Sequence, residues 1–268
     1  MTKTMTVAIQ QGYPGITFDN VTLFYNFFNR CGIWKNGTWV QQFTGGNNDA
    51  VYIDAVLNWA RWMYNRLHAL GIVVTMNPSY DQHHPELTNK LTPFLDLLSS
   101  EKGFGIGTFK PFSYDEWFST IKIFQGLDAQ GKGFVSINQM PVPFEQVTKQ
   151  QKQWVLANYL LVKGNHSYVS ITGEQEYGTI FTTPEYSAPI GRALNEMYVL
   201  QGVYMRDFSN GKTIVNPSHD KSLIIKLLGV YRDLYGNSVS SVTLKPLSGM
   251  VLLGKKSSVS PVLNLLLE

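Results

Sequence analysis

The chain has 268 residues, with 44% hydrophobic, 15% charged and 13% aromatic residues and a single Cys. That apolar fraction supports a sizeable core, so intrinsic disorder, collagen-like repeats and a disulfide scaffold are excluded. The net charge of +3 is unevenly spread: residues 1–200 carry 14 Lys+Arg against 15 Asp+Glu, and residues 201–268 carry 8 against 4.

The first residues, Met1 to Gln11, contain no apolar run of signal-peptide length. Further along, short apolar runs alternate with amphipathic helices. Gly15 to Phe18 reads as a strand closed by Asp19-Asn20. Ile53, Val56, Leu57, Ala60, Tyr64, Leu67 and Leu70 recur at three-and-four spacing and predict a helix. A second strand, Gly71 to Met76, ends at Asn77-Pro78, and a third, Phe94 to Ser100, is interrupted by Asp96 and ends at Glu101. Ser113 with Glu116 three residues later predicts a capped helix burying Trp117, Phe118, Ile121 and Phe124. Gly133 to Ile137, closed by Asn138-Gln139, reads as a fourth strand, Val147 to Val162 as a helix, and Tyr168 to Ile171 as a fifth strand.

Strands separated by helices of this length pair in parallel through crossovers, which places residues 1–200 in the α/β class. A doubly wound sheet would carry a glycine turn after its first strand, whereas Gly15 precedes it and Asp19-Asn20 follow. Polar residues at successive strand ends fit a (β/α)8 barrel instead. Beyond Gln201 the runs become short and β-rich: 203–208, 212–215, 222–228, 241–244 and 250–253, separated by turns such as Ser209-Asn210-Gly211. A small antiparallel, sandwich-like β-domain is expected over residues 201–268. Lys255-Lys256 is the only adjacent basic pair, too sparse for a phosphate-tracking groove, and no stretch reaches the roughly 20 apolar residues of a membrane span. Neither nucleic-acid binding nor a membrane span is expected.

Asp19 and Glu101 stand at strand ends, with Asn20, Asn77 and Asn138 at or beside equivalent positions. A carboxyl pair at one barrel face supplies what glycosidic hydrolysis needs: one group to protonate the leaving oxygen, another to act as nucleophile or base. Neutral amides beside them suit sugar hydroxyls. Tyr25, Trp34, Trp39, Tyr80, Phe104, Phe109 and Phe112 crowd the loops after these strands, and flat aromatic faces suit pyranose rings. Asp and Asn are equally common as strand-exit and cap residues, and most of the aromatics also fit a packing role. Asp81-Gln-His-His84-Pro-Glu86 lacks the spacing of a helical zinc site, so a solvated loop is expected there and no metal. His68, His166 and His219 read as structural. Gly103-Phe-Gly105-Ile-Gly107 lacks the GK[ST] ending of a phosphate loop, Cys31 has no His placed to activate it, and no G-x-S-x-G occurs. No cofactor is expected.

Several segments resemble one family. Gly15-Ile-Thr-Phe-Asp19-Asn20-Val resembles its "DGIFLDNV" strand, and Glu101-Lys-Gly-Phe104 its "E-x-G-F" strand end. Trp154 to Val162 is similar to its helix before the last barrel strand, and Pro184-Glu-Tyr186 with Pro189-Ile-Gly191 to the loop after that strand. Tyr204 to Pro217 is similar to the "R-x-F-x-N-G-x-V-x-V-N-P" opening of its C-terminal β-domain. In this order they resemble the hypothetical glycoside-hydrolase-like family fifteen, TIM-barrel glycosidases with a C-terminal β-domain.

The resemblance implies a carbohydrate substrate and an extracellular setting. It makes Asp19 the nucleophile or base and Glu101 the proton donor, the reverse assignment staying open, with Asn20, Asn77 and Tyr80 lining the site. Lys102 departs from the small residue common there and, if turned inward, would favour the ionised form of Glu101. The family's barrel has eight strands and five are read here. The expected fold is therefore an incomplete (β/α)8 barrel of about five βα units, its remainder supplied by a longer gene product or a partner chain. A degenerate barrel that binds carbohydrate without turnover, and an assembly module using the β-domain, are the alternative readings.

Overall fold

The computed structural model describes residues 6–7, 9–23, 31–43, 49–78, 84–106 and 111–254. Contacts divide the chain into two compact units, residues 1–145 with 163–180 and residues 146–162 with 181–268.

In the first unit, β1 (Gly15–Phe18), β4 (Val73–Met76), β5 (Leu97–Ser100), β6 (Gly133–Gln139) and β7 (Ser167–Thr172) form one parallel sheet in that spatial order. Helices α1 (Ala50–His68), α2 (Pro85–Leu91) and α3 (Tyr114–Ala129) alternate with these strands. This is a partial α/β barrel, and β1 and β7 are its edges. Helix α1 buries Ile53, Ala60 and Leu67, as its spacing predicts, together with Met63, which lies outside that set, while Leu70 falls beyond the helix end and is exposed. Helix α3 carries the expected capping box: Ser113 Oγ accepts from Glu116 N–H, and Glu116 Oε2 accepts from Ser113 N–H. Phe134 of β6 stacks on Phe124 of α3 with ring centres 4.1 Å apart, so that face of the sheet packs on the helices.

Asp96, which breaks the apolar run before β5, is a tie between elements. Its carboxylate accepts from Val74 N–H at 2.7 Å and lies 2.9 Å from His68 Nε2 and 3.4 Å from the Tyr64 hydroxyl on α1. His68, expected to be structural, takes part in this tie.

Strands β2 (Cys31–Lys35) and β3 (Thr38–Phe43) form a separate hairpin. Its turn residues Asn36 and Gly37 both have positive φ, +52° and +78°. Trp34 and Trp39, expected in a loop, pair across this hairpin edge-to-face at 5.7 Å.

In the second unit, β8 (Tyr198–Leu200), β9 (Val203–Phe208), β10 (Gly211–Asn216), β11 (Leu223–Asp233), β12 (Ser238–Leu244) and β13 (Ser248–Gly254) form an antiparallel sheet ordered β12-β11-β13-β10-β9-β8. Helix α4 (Lys149–Val162) packs on one face, where Thr213 Oγ1 donates to Ala157 O and Gln153 Oε1 accepts from Val251 N–H. The other face gathers Val203, Met205, Ile214, Ile225, Val242, Leu244 and Leu252 into a buried cluster. Thr213 and Ile214 are neighbours on β10 and both fully buried, so both faces of the strand are covered. The expected boundary at Leu200 assigns α4 and residues 181–200 to the barrel; contacts group them with the second sheet. Among the described residues no helix is long and apolar enough to cross a membrane.

Candidate active site

The strand ends of β1 and β4 bring together three of the residues singled out in the sequence, Asp19, Asn20 and Asn77, and β5 ends beside them at Glu101. Registers align Phe18 with Met76 and Met76 with Leu98, which in turn aligns with Phe134 on the helix-facing side. Because side chains alternate along a strand, Thr75, Asn77 and Ser99 occupy the opposite face.

Asp19 stands one residue past β1. Its Oδ1 accepts from Asn20 N–H and from Asn77 Nδ2, both at 2.9 Å, and its Oδ2 accepts from Asn20 Nδ2 at 3.0 Å. Asn20 holds a left-handed φ of +54°, a conformation its short amide tolerates, and this lets the side chain fold back on Asp19. Asn77 is 5% exposed. Its backbone is tied to the β1 segment, donating to Phe18 O and accepting from Val21 N–H, each at 2.9 Å. Asp19 is thus oriented by three donors drawn from two adjacent strand ends.

Glu101 stands one residue past β5, half-buried, and its carboxyl makes no hydrogen bond to the described residues. Two strand spacings, about 9–10 Å, separate the β1 and β5 backbones, with β4 and Asn77 between them. Asp19 and Glu101 thus stand past the ends of two strands of the sheet that are separated by one other. Burial lowers the Lys102 ammonium below its ordinary value, and the carboxylate of Glu116 at the start of α3 opposes that shift.

The loop after β5 is held from beneath. Asn138 is 1% exposed; its Oδ1 accepts from Phe104 N–H at 2.9 Å, and its Nδ2 donates to Ser136 O, Ser136 Oγ and Ser170 O. Phe104 is fully buried, edge-on to Phe124 with ring centres 5.7 Å apart. Gly103 has φ +52°, and a Cβ there would overlap Asn138 Oδ1. The expectation that Phe104 and Asn138 contact substrate meets this packing: both side chains are spent on fixing the turn that carries Glu101. Asn20 and Asn77 flank Asp19. Tyr80, Tyr25, Phe109, Gly107, the segment 81–83 and Lys255-Lys256 lie outside the described residues.

Sequence reasoning passed over Glu176, in the loop after β7. Its Oε2 accepts from Phe144 N–H at 2.9 Å, tying that loop to the one after β6. The signal for it was the Glu-Gln-Glu run directly after Gly173. Among the described residues no three His, Cys, Asp or Glu side chains gather as a metal site.

Residues 113–212 match hypothetical glycosyl hydrolase family 15. The match runs from the α3 cap into β10 and contains Asn138; Asp19 and Glu101 lie upstream of it. A solved GH27 β-L-arabinopyranosidase from Geobacillus stearothermophilus is similar in fold, at 12% identity and a TM-score of 0.50. That similarity covers 95% of this chain and 60% of the enzyme, so the chain spans under two thirds of its length. A point variant of the same enzyme in complex with arabinose aligns at 10% identity and a TM-score of 0.39, covering 86% of this chain and 68% of that one. A candidate α-galactosidase from Bacteroides fragilis aligns at 9% identity and a TM-score of 0.30, covering 94% and 75%. No curated protein sequence matches the chain.

Proposed function

We propose that the chain carries the carboxylate pair of a glycoside hydrolase acting on an oligosaccharide or polysaccharide, with Asp19 as nucleophile or base and Glu101 as proton donor. The observation that carries this reading is the asymmetry of the pair. Asp19 is held by three donors, as suits a group that must attack or direct water along one line. Glu101 has no hydrogen-bond partner among the described residues and is free to follow the leaving oxygen. Asn20 and Asn77 present amides beside Asp19 for sugar hydroxyls, while Phe104 and Asn138 act as positioning residues. The family match and the fold similarity support the same reaction class.

The test is a panel of aryl pyranosides, including the β-L-arabinopyranoside, assayed with the wild-type chain and with Asp19→Asn and Glu101→Gln. Glu101→Gln is expected to cripple substrates with poor leaving groups more than those with activated aryl groups, since only the former need protonation. Equal losses on both kinds would remove the acid role from Glu101.

One observation favours the second reading, carbohydrate binding without turnover by this chain alone. On the sheet face opposite the helices, Val73 and Tyr168 are 39% and 54% exposed, and among the described residues β1 and β7 are the edge strands of the parallel sheet. Further strands, from a longer product or a partner chain, are proposed to cover that face. Oligosaccharide binding without cleavage, converted to cleavage when such strands are supplied, would favour this reading.

A further inference from the structure

The β2–β3 hairpin, in the connection between β1 and α1, exposes two Trp side chains. Residues directly opposite in an antiparallel ladder share a face, so Trp34 and Trp39 stand together, with Gly32 and Gln41 next along the same side. Gly32 governs how Trp39 lies. A Cβ on Gly32 would stand 2.8 Å from Trp39 Cζ2, so the missing side chain lets that indole rest across β2. The Trp34 ring meets it at 5.7 Å between centres and 65° between planes. The two rings form an open corner rather than a closed stack, with Trp34 72% and Trp39 41% exposed. Among the described residues no third ring and no cation packs on either indole.

Two neighbouring indoles held in water are unfavourable unless something covers them, and charge and position both bear on what does. Residues 31–43 contain one Lys and no acid, so a polyanion or a charged peptide finds little to pair with. The corner instead offers aromatic walls with the Gln41 amide at their side. The C–H face of a neutral pyranose packs on such rings while its hydroxyls turn to polar groups and water. The aliphatic pair Ile33 and Val40 lies on the other face of the hairpin.

The root of the hairpin is tied to the Asp19 segment. Phe43, the last residue of β3, meets Tyr52 of α1 edge-to-face with ring centres 5.5 Å apart. The Tyr52 hydroxyl donates to Thr22 O at 3.1 Å, and Thr22 N–H donates to Asn20 O at 3.0 Å. Asn20 is the residue whose side-chain amide donates to Asp19 Oδ2. From Phe43, four residues of β3 carry Trp39 about 14 Å along the strand.

We propose that the Trp34–Trp39 corner is a subsite for a neutral polysaccharide, holding a pyranose unit of the chain away from the one that is cleaved. The inference rests on the proposed function for its place beside Asp19, whereas its binding readout needs no turnover. It makes a polymer, rather than a single glycoside, the substrate class of the site.

The experiment titrates the full chain, as wild type and as Asp19→Asn, with arabinoxylan, arabinogalactan, galactomannan and polygalacturonate in a calorimeter. At least one neutral polysaccharide is expected to bind both proteins alike, and polygalacturonate to bind about tenfold more weakly or not at all. Trp34→Ala, on an exposed side chain, is expected to weaken binding by about tenfold or more with the melting temperature preserved, and Trp34→Phe to recover part of it. Trp39→Ala, which removes the other wall, is expected to act in the same direction. Binding that persists while the wild type cleaves no glycoside would count against the carboxylate pair and leave the subsite standing. No binding to any neutral polysaccharide, equal binding by Trp34→Ala, tighter binding of polygalacturonate, or self-association of the chain that Trp34→Ala abolishes would each overturn the proposal.

Discussion

Asn77 donates through Nδ2 to Asp19 Oδ1 at 2.9 Å, joining the ends of two neighbouring parallel strands. The bond costs little to form because both backbones are already in register there, and it fixes the direction in which Asp19 presents its free lone pairs. Asn77→Ala is expected to lower kcat by about 10- to 100-fold on a cleaved glycoside, with KM changed far less, because Asn77 acts through the carboxylate. A rise in KM with kcat unchanged would leave Asn77 with its sugar-binding role alone. Asn77→Asp places a second acid against Asp19 and is expected to displace the pH profile as well as the rate.

The turn that carries Glu101 rests on one amide. Asn138→Ala removes the acceptor of Phe104 N–H and the donor to Ser136 O and Ser170 O, at an expected cost of about 2–4 kcal/mol by denaturant titration. Gly103→Ala is expected to cost about 2–3 kcal/mol, from the positive φ and from the overlap with Asn138 Oδ1. Because that overlap disappears with the amide, the double variant is expected to be more stable than the sum of the two losses by about 1 kcal/mol. Strict additivity would show that Gly103 is needed for its backbone conformation alone.

Much of this arrangement was legible in the chain itself, and the exceptions have physical causes. β1 and β9 fall where the apolar runs place them, and the Ser113–Glu116 cap is a local pattern realised locally. The β2–β3 hairpin was missed although its signal was present: Asn36-Gly37 between Trp-bearing runs is the dipeptide that supplies two positive φ values in a tight turn. Asn138 was read as a strand-end amide facing substrate, because its bond to Phe104 spans 34 residues and leaves no local trace. Helix α4 looks like a barrel helix by periodicity. Its hydrogen bonds to β13, β10 and β9 show which sheet it serves.

The C-terminal end of α4 is closed by a buried cation. Arg206, on β9, donates from Nη1 to Leu160 O and Leu161 O at 3.3 Å and from Nε to Asn195 O at 2.9 Å. It thereby satisfies carbonyls that a helix end leaves open and complements the helix dipole. Arg206→Leu is expected to destabilise the chain by about 2–4 kcal/mol, read as a lower denaturant midpoint. Arg206→Lys is expected to recover part of this, since one ammonium cannot reach all three oxygens in the plane of a guanidinium.

Tyr235 makes stability depend on pH at the alkaline end. Its burial, and then the charge and hydrogen bond of Glu185, push its hydroxyl up to about 12. A phenol whose folded value is raised contributes stability that is fully present below its ordinary value near 10 and is lost as pH rises toward 12. Melting temperatures between pH 9 and 11 are expected to fall more steeply for the wild-type chain than for Tyr235→Phe. On the acid side, burial alone would raise the Glu185 carboxyl. Hydrogen bonds from Thr183 and Tyr235 and the charge of Lys152 outweigh it and bring the value down. Stability from Glu185 is therefore present above the ordinary carboxyl range and lost as pH falls below it, and this limb is expected to flatten in Tyr235→Phe. Parallel profiles for the two proteins would contradict the pairing.

The most direct measurement compares hydrolysis of the pyranoside panel by the wild-type chain, completed by the further strands if it needs them, and by Asp19→Asn. The account predicts turnover by the wild type and a loss of about 10³-fold or more in Asp19→Asn, with an unchanged melting temperature. Turnover by Asp19→Asn at the wild-type rate would contradict it.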